Sequence, residues 1–190
     1  MIVRRITATA AGLALVGTAF AAAPAMAKTN TTTLKLDTRF IALLGAADIT
    51  ASRVKPAKIK GGSISFPAKL KGKNVTHKGG LKLTASPDAY VALEDISINY
   101  KKGKATVQVG NPLTAPERVE IKNGLVIKGG KNKIKKKGTW KNGKVSLAKS
   151  AVVLGDKQDP AALIATVLGL PEGSVPTGAT LGKINIKVKK

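Results

Sequence analysis

The sequence predicts a mainly β protein, built as an antiparallel β-sandwich or a strongly curved sheet with two short α-helices. Three observations carry this prediction. Apolar and polar residues alternate along much of the chain, glycine-containing pairs separate the alternating runs, and only two stretches have helical spacing. Alternation places apolar side chains on one face of a strand and lysines on the other. That pattern is typical of an antiparallel sheet with one buried and one solvent-exposed face.

The predicted strands follow from this period of two. The clearest runs are residues 34–36, 81–83, 96–100, 105–109, 119–121 and 184–188. Asn123-Gly124 and Asn142-Gly143 have the residue types that type I′ turns require, so they predict two hairpins. Further turns are predicted at Gly61-Gly62, Gly79-Gly80, Lys102-Gly103 and Gly129-Gly130.

The two predicted helices have recognisable starts. Asp37 or Thr38 can cap the first, whose apolar residues recur at i, i+3, i+4 and i+7. These apolar residues are Phe40, Leu43, Leu44 and Ala47. The second helix is predicted to begin with Asp159 as N-cap and Pro160 at the first helical position, and to end at Gly169.

Residues 1–27 have the features of a secretory signal peptide. Arg4 and Arg5 precede an apolar run over residues 6–23, and Ala25-Met26-Ala27 matches the small-x-small pattern of a cleavage site. We therefore expect a single domain over residues 28–190, secreted or associated with the cell envelope. The rest of the chain has no apolar run long enough for a membrane span. A retained N-terminal anchor is the alternative.

The charge balance predicts an affinity for polyanions. The chain has 33 Lys and Arg residues against 10 Asp and Glu, a formal net charge of +23. Teichoic acids, acidic polysaccharides and anionic lipid headgroups are candidate partners outside a bacterium; a merely solvated surface is the alternative. Lysine dominates over arginine and aromatic residues make up 3%, which disfavours specific nucleic-acid recognition. The chain has no cysteine, so disulfides and thiolate metal sites are excluded.

One lysine cluster surrounds the predicted hairpin at Trp140, and it is the candidate contact for anionic cell-wall polymers. A structural or adhesive envelope protein would use such a surface, although a solvated hairpin would have the same composition. The cluster consists of Lys131, Lys133, Lys135, Lys136, Lys137, Lys141 and Lys144.

Catalytic motifs are not evident, and we expect a protein that is not an enzyme. Glu94-Asp95 is an adjacent acidic pair, but neighbours on a strand point to opposite faces and cannot easily share a substrate. No serine lies in a nucleophile-elbow motif and no glycine pair opens a phosphate-binding loop. A secreted hydrolase therefore ranks last among the functions considered.

His77 is the single histidine of the chain. A lone histidine beside a glycine pair is commonly a hydrogen-bonding turn residue. Neutral imidazole is also the commonest protein metal ligand, and one histidine suffices as an axial contact to haem. A structural zinc site is excluded because no second ligand of the His or Cys type exists.

The region around His77 resembles the HtaA family of secreted and cell-envelope proteins of actinobacteria. His77-Lys-Gly-Gly-Leu81 is similar to the family's His-x-Gly-Gly-Leu signature. Residues 36–47 resemble its opening helix, and residues 54–57, 64–67 and 94–98 resemble the strands that follow. The resemblance covers roughly residues 34–109, about half of the expected mature domain.

The resemblance implies a mainly β, non-enzymatic binding domain with haem as its ligand. It implies His77 as a haem contact, with the opening helix as the second contributor. The family has its axial tyrosine in that helix region, whereas this chain has Phe40 and no tyrosine there. Phenylalanine cannot ligate iron, so Phe40 is expected only to pack against the ligand.

Overall fold

Residues 30–112 and 117–189 are described by a computed structural model of the protein. The expected signal peptide lies outside these ranges. In the described ranges, no helix combines the length and the apolar composition needed to cross a membrane.

Strands dominate the described residues, with three short helices between them. The strands of the first half are β1 Thr31–Leu36, β2 Thr50–Val54, β3 Lys58–Lys60, β4 Ser63–Lys71, β5 Asn74–His77, β6 Gly80–Ser86, β7 Ala89–Asn99 and β8 Lys104–Gly110. Those of the second half are β9 Val119–Lys128, β10 Lys131–Lys133, β11 Thr139–Leu147, β12 Ala151–Val153, β13 Asp156–Gln158 and β14 Thr180–Lys187. The helices are α1 Thr38–Ala46, α2 Ile134–Lys137 and α3 Pro160–Val167.

Eight strands close into an antiparallel barrel in the order β1, β4, β5, β7, β8, β9, β11, β14 and back to β1. The predicted mainly β class is confirmed, but the sheet closes on itself instead of forming a sandwich or an open curved sheet. Closure occurs because β11 pairs with β9 on one side and with β14 on the other. Alternation along a strand is the same in a sandwich and in a barrel, so only the long-range pairing distinguishes them.

The two Asn-Gly pairs are bulges inside strands, and the prediction of hairpins there was wrong. Asn123 lies within β9 at a φ of 58° and Asn142 within β11 at a φ of 55°. The pairing of β8 with β9 steps from Ala105↔Leu125 to Val107↔Ile121, so β9 has extra residues at this point. A left-handed asparagine suits a bulge as well as a type I′ turn, and bulges supply the bending that a barrel needs.

Glycine pairs were predicted as turns at four places, and two of these are true reversals. Gly61-Gly62 joins β3 to β4, and Lys102-Gly103 joins β7 to β8. Gly79-Gly80 instead lies at a corner between β5 and β6, which both pair with β7. Gly129-Gly130 lies at the equivalent corner between β9 and β10, which both pair with β11. At both corners the chain bends without reversing its direction.

Both predicted helices form with the expected caps. The Asp37 carboxylate accepts a hydrogen bond from the Arg39 amide at 2.9 Å, and Asp159 accepts one from the Ala161 amide at 2.9 Å. The additional helix α2 is a single turn that ends at left-handed Gly138. Its sequence, Ile-Lys-Lys-Lys, is too short to show a helical period, so no pattern indicated it.

The barrel interior is the hydrophobic core. Ile64, Val75, Ile98 and Ile186 are almost fully buried there, each from a different strand of the ring. Trp140 is also buried, and its indole Nε1 donates a hydrogen bond to the Gly129 carbonyl at 3.0 Å. The tryptophan inside the lysine cluster is therefore a core residue, while the lysines around it face solvent.

Candidate functional site

His77 lies inside the barrel at the end of β5, with 4% of its surface exposed. Its Nδ1 is 2.8 Å from the Ile96 carbonyl oxygen, and its Nε2 is 2.7 Å from the Thr32 hydroxyl oxygen. A carbonyl can only accept, so Nδ1 carries the hydrogen and donates it. Nε2 then accepts the hydrogen of the Thr32 hydroxyl. Both ring nitrogens are therefore engaged in hydrogen bonds within the protein.

The surroundings of His77 keep its imidazole neutral. Burial lowers the pKa of His77 from 6.5 to about 4, and the hydrogen bond to the Ile96 carbonyl opposes this in part. The edge of the ring meets Phe66, with the two ring centroids 6.1 Å apart and the planes at 74°. The adjoining cavity is only about 30 Å³ in volume and its other lining residues include Leu93 and Leu181.

The two glycines after His77 are required by packing at the β5–β6 corner. A Cβ on Gly79 would lie 2.5 Å from the Val54 carbonyl oxygen, and Gly79 has a φ of 77°. A Cβ on Gly80 would overlap the carbonyl oxygen of Leu93 on β7. The His-Lys-Gly-Gly segment therefore builds a tight corner, and its histidine is hydrogen-bonded to residues of β1 and β7. This geometry matches the hydrogen-bonding role considered for His77.

Phe40 and His77 are not brought together. Phe40 lies in α1 with 6% of its surface exposed, and α1 contacts β2 and β14. It is not among the residues that line the cavity beside His77. In the described residues, the two members of the expected haem contact thus occupy separate places in the core.

The lysines of the Trp140 cluster are all exposed. Lys131 is directly opposite Lys141 in the β10–β11 pair, and Lys135, Lys136 and Lys137 follow on α2. The β10–β11 pair and α2 therefore hold these lysines together on one edge of the barrel surface.

A second arrangement of lysines crosses the barrel wall. Lys128, Lys144, Lys183 and Lys35 lie directly opposite one another on β9, β11, β14 and β1. We call these four residues the lysine row. All four are exposed, and residues opposite one another on adjacent strands share a face of the sheet. With neighbouring strands about 4.8 Å apart, the row is roughly 14 Å long.

Carboxylates are scarce on the strands that carry the row: β1, β11 and β14 have none, and β9 has Glu120. Strands β1, β3, β4, β10, β11 and β14 contain no Asp or Glu. The carboxylates of the described ion pairs lie on β7 and β9. On β7, Glu94 and Asp95 contact Arg118 at 2.7 Å and 3.1 Å, and on β9 Glu120 contacts Lys122 at 3.6 Å. Three of the four strands of the row therefore carry lysine with no carboxylate on the same strand.

Sequence reasoning found only Lys144 of the four residues in the row. The other three are far apart in the chain, and they meet because β14 pairs with β1 and β11 pairs with both β9 and β14. Lys35 lies in a run of alternating residues, which predicts exposure but not which lysines become neighbours. No local signal could have identified the row.

The described residues give little support for a metal site or a catalytic site that needs several titratable side chains. No group of three or more His, Asp or Glu side chains there is arranged to hold a metal ion. His77 bonds to a threonine and a backbone carbonyl, so it is not part of a Ser-His-Asp arrangement. Comparisons of the chain with protein-family models, curated proteins and solved structures found no match.

Proposed function

We propose that this protein is a non-enzymatic binding domain that works outside the cytoplasm and holds anionic cell-envelope polymers on its lysine-rich wall. The observation that carries the proposal is the lysine row, four lysines in direct cross-strand register on four strands, three of which have no Asp or Glu. The lysines of the Trp140 cluster extend the same surface, because Lys144 belongs to both sets.

The row is unfavourable for the isolated protein. Like charges that lie directly opposite on neighbouring strands repel and destabilise a sheet. An anionic chain laid across the four strands would neutralise several of these charges at once. Binding of this chain would relieve the repulsion between the lysines and add attraction between the lysines and the chain. This favours a polymer over a single small anion.

The choice of lysine indicates what kind of polymer fits. An ammonium is a compact point charge, whereas arginine recognises carboxylate or phosphate through a planar fork. A lysine surface therefore selects for charge density rather than for one headgroup geometry. Teichoic acids and acidic polysaccharides both satisfy this requirement, and both carry charges at regular intervals.

A pair of charge-matched double variants tests the proposal. Lys144→Gln with Lys183→Gln removes the two central charges of the row. Lys78→Gln with Lys157→Gln removes two exposed lysines elsewhere on the barrel and gives the same net charge. Binding to purified teichoic acid would be measured for both, at about 0.1 M and about 1 M salt, since screening shortens the reach of charge to a few ångströms at the higher value.

The row variant is expected to lose most of its affinity at low salt while the control variant loses little. The wild-type protein is expected to release the polymer at high salt. Equal losses in the two variants would mean that net charge alone attracts the polymer, and the row would then have no special part. Binding that resists high salt would contradict an electrostatic surface altogether.

Haem is the second candidate, supported by the resemblance of residues 77–81 to the HtaA signature. For iron to bond to His77, its Nε2 would have to exchange the Thr32 hydroxyl for the metal, and the small interior cavity would have to open. A haemin titration followed in the Soret region tests this. A saturable band that survives high salt and vanishes in His77→Ala would support haem; a band unchanged in that variant would contradict it.

A further inference from the structure

A larger apolar cavity lies next to the small one beside His77, and Leu93 and Leu125 line both. Its volume is about 220 Å³, and it lies between the inner face of β7, β8 and β9 and the helix α3. Val91, Val107 and Ile121 form its floor, and Leu163, Ile164 and Val167 of α3 form its opposite side. Among the described residues that line it, Asn111 and Gln158 carry the only polar side chains.

The rim of this cavity carries an unusual residue. Leu154 lines the cavity in the turn between β12 and β13, yet 82% of its surface is exposed. Its φ of 51° is in the left-handed region, where asparagine or glycine would be favoured over leucine. Among the described residues it is the only large hydrophobic side chain exposed to this degree. Both the exposure and the left-handed backbone conformation are unfavourable for leucine. Its presence therefore indicates a role for an apolar group at the cavity mouth.

The size of the cavity bounds its occupant. An apolar cavity of about 150 Å³ stays free of water and accepts a single aromatic ring, whereas pockets for larger organic molecules start at about 300 Å³. A cavity between these sizes fits a hydrocarbon group of about one ring or a short alkyl chain. Water would gain few hydrogen bonds against such a lining.

We propose that this cavity binds the alkyl chain of a small amphiphile, with the chain between α3 and the barrel floor and the polar end at the rim. Gln158 lies at the end of β13 and is the half-buried polar group available to the polar end. Leu154 covers the chain where it leaves the cavity. The site involves none of the lysine row, so it is independent of polymer binding.

Two aliphatic probes of equal chain length separate this site from the charged wall. 1-Octanol has no charge, so the lysines cannot account for its binding, whereas octanoate reports on the chain and on charge together. A ligand that binds only the folded state raises the melting temperature. The measurement is therefore the melting temperature of the purified protein against the concentration of each probe, combined with methyl NMR shifts of the Val, Leu and Ile residues.

The matched variants are Val167→Trp, which fills the cavity from α3, and Thr166→Trp, which places the same side chain on the exposed face of that helix. 1-Octanol is expected to raise the melting temperature of the wild type and of Thr166→Trp but not of Val167→Trp. In the wild type, 1-octanol is expected to change the methyl chemical shifts only of lining residues such as Val107 and Leu163. No thermal shift in the wild type, or shifts scattered over the surface, would overturn the proposal.

Leu154→Asn provides a test that does not depend on a cavity-filling variant folding. Asparagine tolerates the left-handed conformation, so this variant is expected to melt at a higher temperature than the wild type. It is also expected to bind 1-octanol several-fold more weakly, because the apolar cover is lost. Unchanged affinity for 1-octanol in Leu154→Asn would contradict the assigned role of the rim. If 1-octanol does not bind, and octanoate binding is abolished by high salt and unaffected by Val167→Trp, the lysines account for all binding and the site is overturned.

Discussion

The Thr32 hydroxyl and the Nε2 of His77 form a 2.7 Å hydrogen bond inside the barrel although 45 residues separate them in the chain. Thr32 is on β1 and His77 on β5, and β4 pairs with both strands. The bond therefore spans the inner face of β4 and links its two neighbours. With the bond from Nδ1 to Ile96 on β7, the imidazole ties together three strands of the ring.

Replacing Thr32 with valine is expected to destabilise the protein by about 1–3 kcal/mol, because the buried Nε2 loses its only hydrogen-bond donor. Urea unfolding of Thr32→Val measures the loss. Thr33→Val is the control, since Thr33 is half-buried on the opposite face of β1 and its hydroxyl makes only a 3.4 Å contact with Ser65. Equal losses in the two variants would mean that the bond to His77 contributes nothing beyond strand propensity.

Stability is expected to fall below about pH 6.5 because of His77. In the folded protein the pKa of His77 is lowered to about 4, so between these two pH values the unfolded chain binds the proton and the folded protein does not. The contribution of His77 to the free energy of unfolding is complete above about pH 6.5 and disappears as the pH falls to about 4. At about 1.4 kcal/mol per pKa unit, the total is about 3 kcal/mol.

NMR titration of the His77 ring protons checks this prediction directly, and urea unfolding at several pH values checks its effect on stability. The ring should titrate near pH 4 in the folded protein. His77→Gln should show a smaller dependence of stability on pH across the same range. A ring that titrates near its ordinary value would show that His77 is accessible to water, in conflict with its buried position.

Gly80→Ala is expected to cost several kcal/mol or to prevent folding. The added Cβ would overlap the backbone of Leu93, and neither β6 nor β7 can move without breaking its pairing. Gly45→Ala in α1 is the contrasting change, because a Cβ there meets nothing within 4 Å. It should stabilise the protein by up to about 1 kcal/mol through helix propensity. Thermal unfolding of both variants should give changes of opposite sign.

Neutralising the centre of the lysine row is expected to stabilise the protein at low salt. Lys144→Gln removes two like-charge contacts, with Lys128 and with Lys183, each worth up to about 1 kcal/mol on a sheet surface. The gain should disappear at about 1 M salt, where exposed charges are screened. Lys78→Gln serves as the single-charge control. A gain for Lys144→Gln that is the same at both salt concentrations would contradict an origin in charge repulsion.

The elements with local signals were predictable, and those that depend on distant partners were not. Asp37 and Asp159 begin their helices as expected, because a cap acts within one helical turn. Alternation indicated parts of six of the fourteen described strands, namely β1, β6, β7, β8, β9 and β14. Closure of the barrel was not predictable, since it depends on β11 finding both β9 and β14.

The asparagine bulges show that the same Asn-Gly pair is compatible with either a hairpin turn or a bulge inside a strand. Asn123 and Asn142 adopt the left-handed conformation that the sequence indicated. Whether the chain then reverses or continues depends on the strand beside it, which the dipeptide does not encode. The candidate sites divide in the same way. The lysines of the Trp140 cluster are close in sequence and could be proposed from it, whereas the lysine row and the cavity at α3 are formed by residues distant in sequence.

The pairing of β1 with β14 has a consequence for how the chain folds. Thr31 is opposite Lys187, so the first strand of the barrel needs the last one to complete its hydrogen bonding. During synthesis, the ring stays open until almost the entire polypeptide has emerged from the ribosome. Its many long-range pairings give a high contact order, which is associated with slow folding. We therefore expect slow, cooperative folding, and a polypeptide truncated before β14 should expose unpaired strand edges and aggregate.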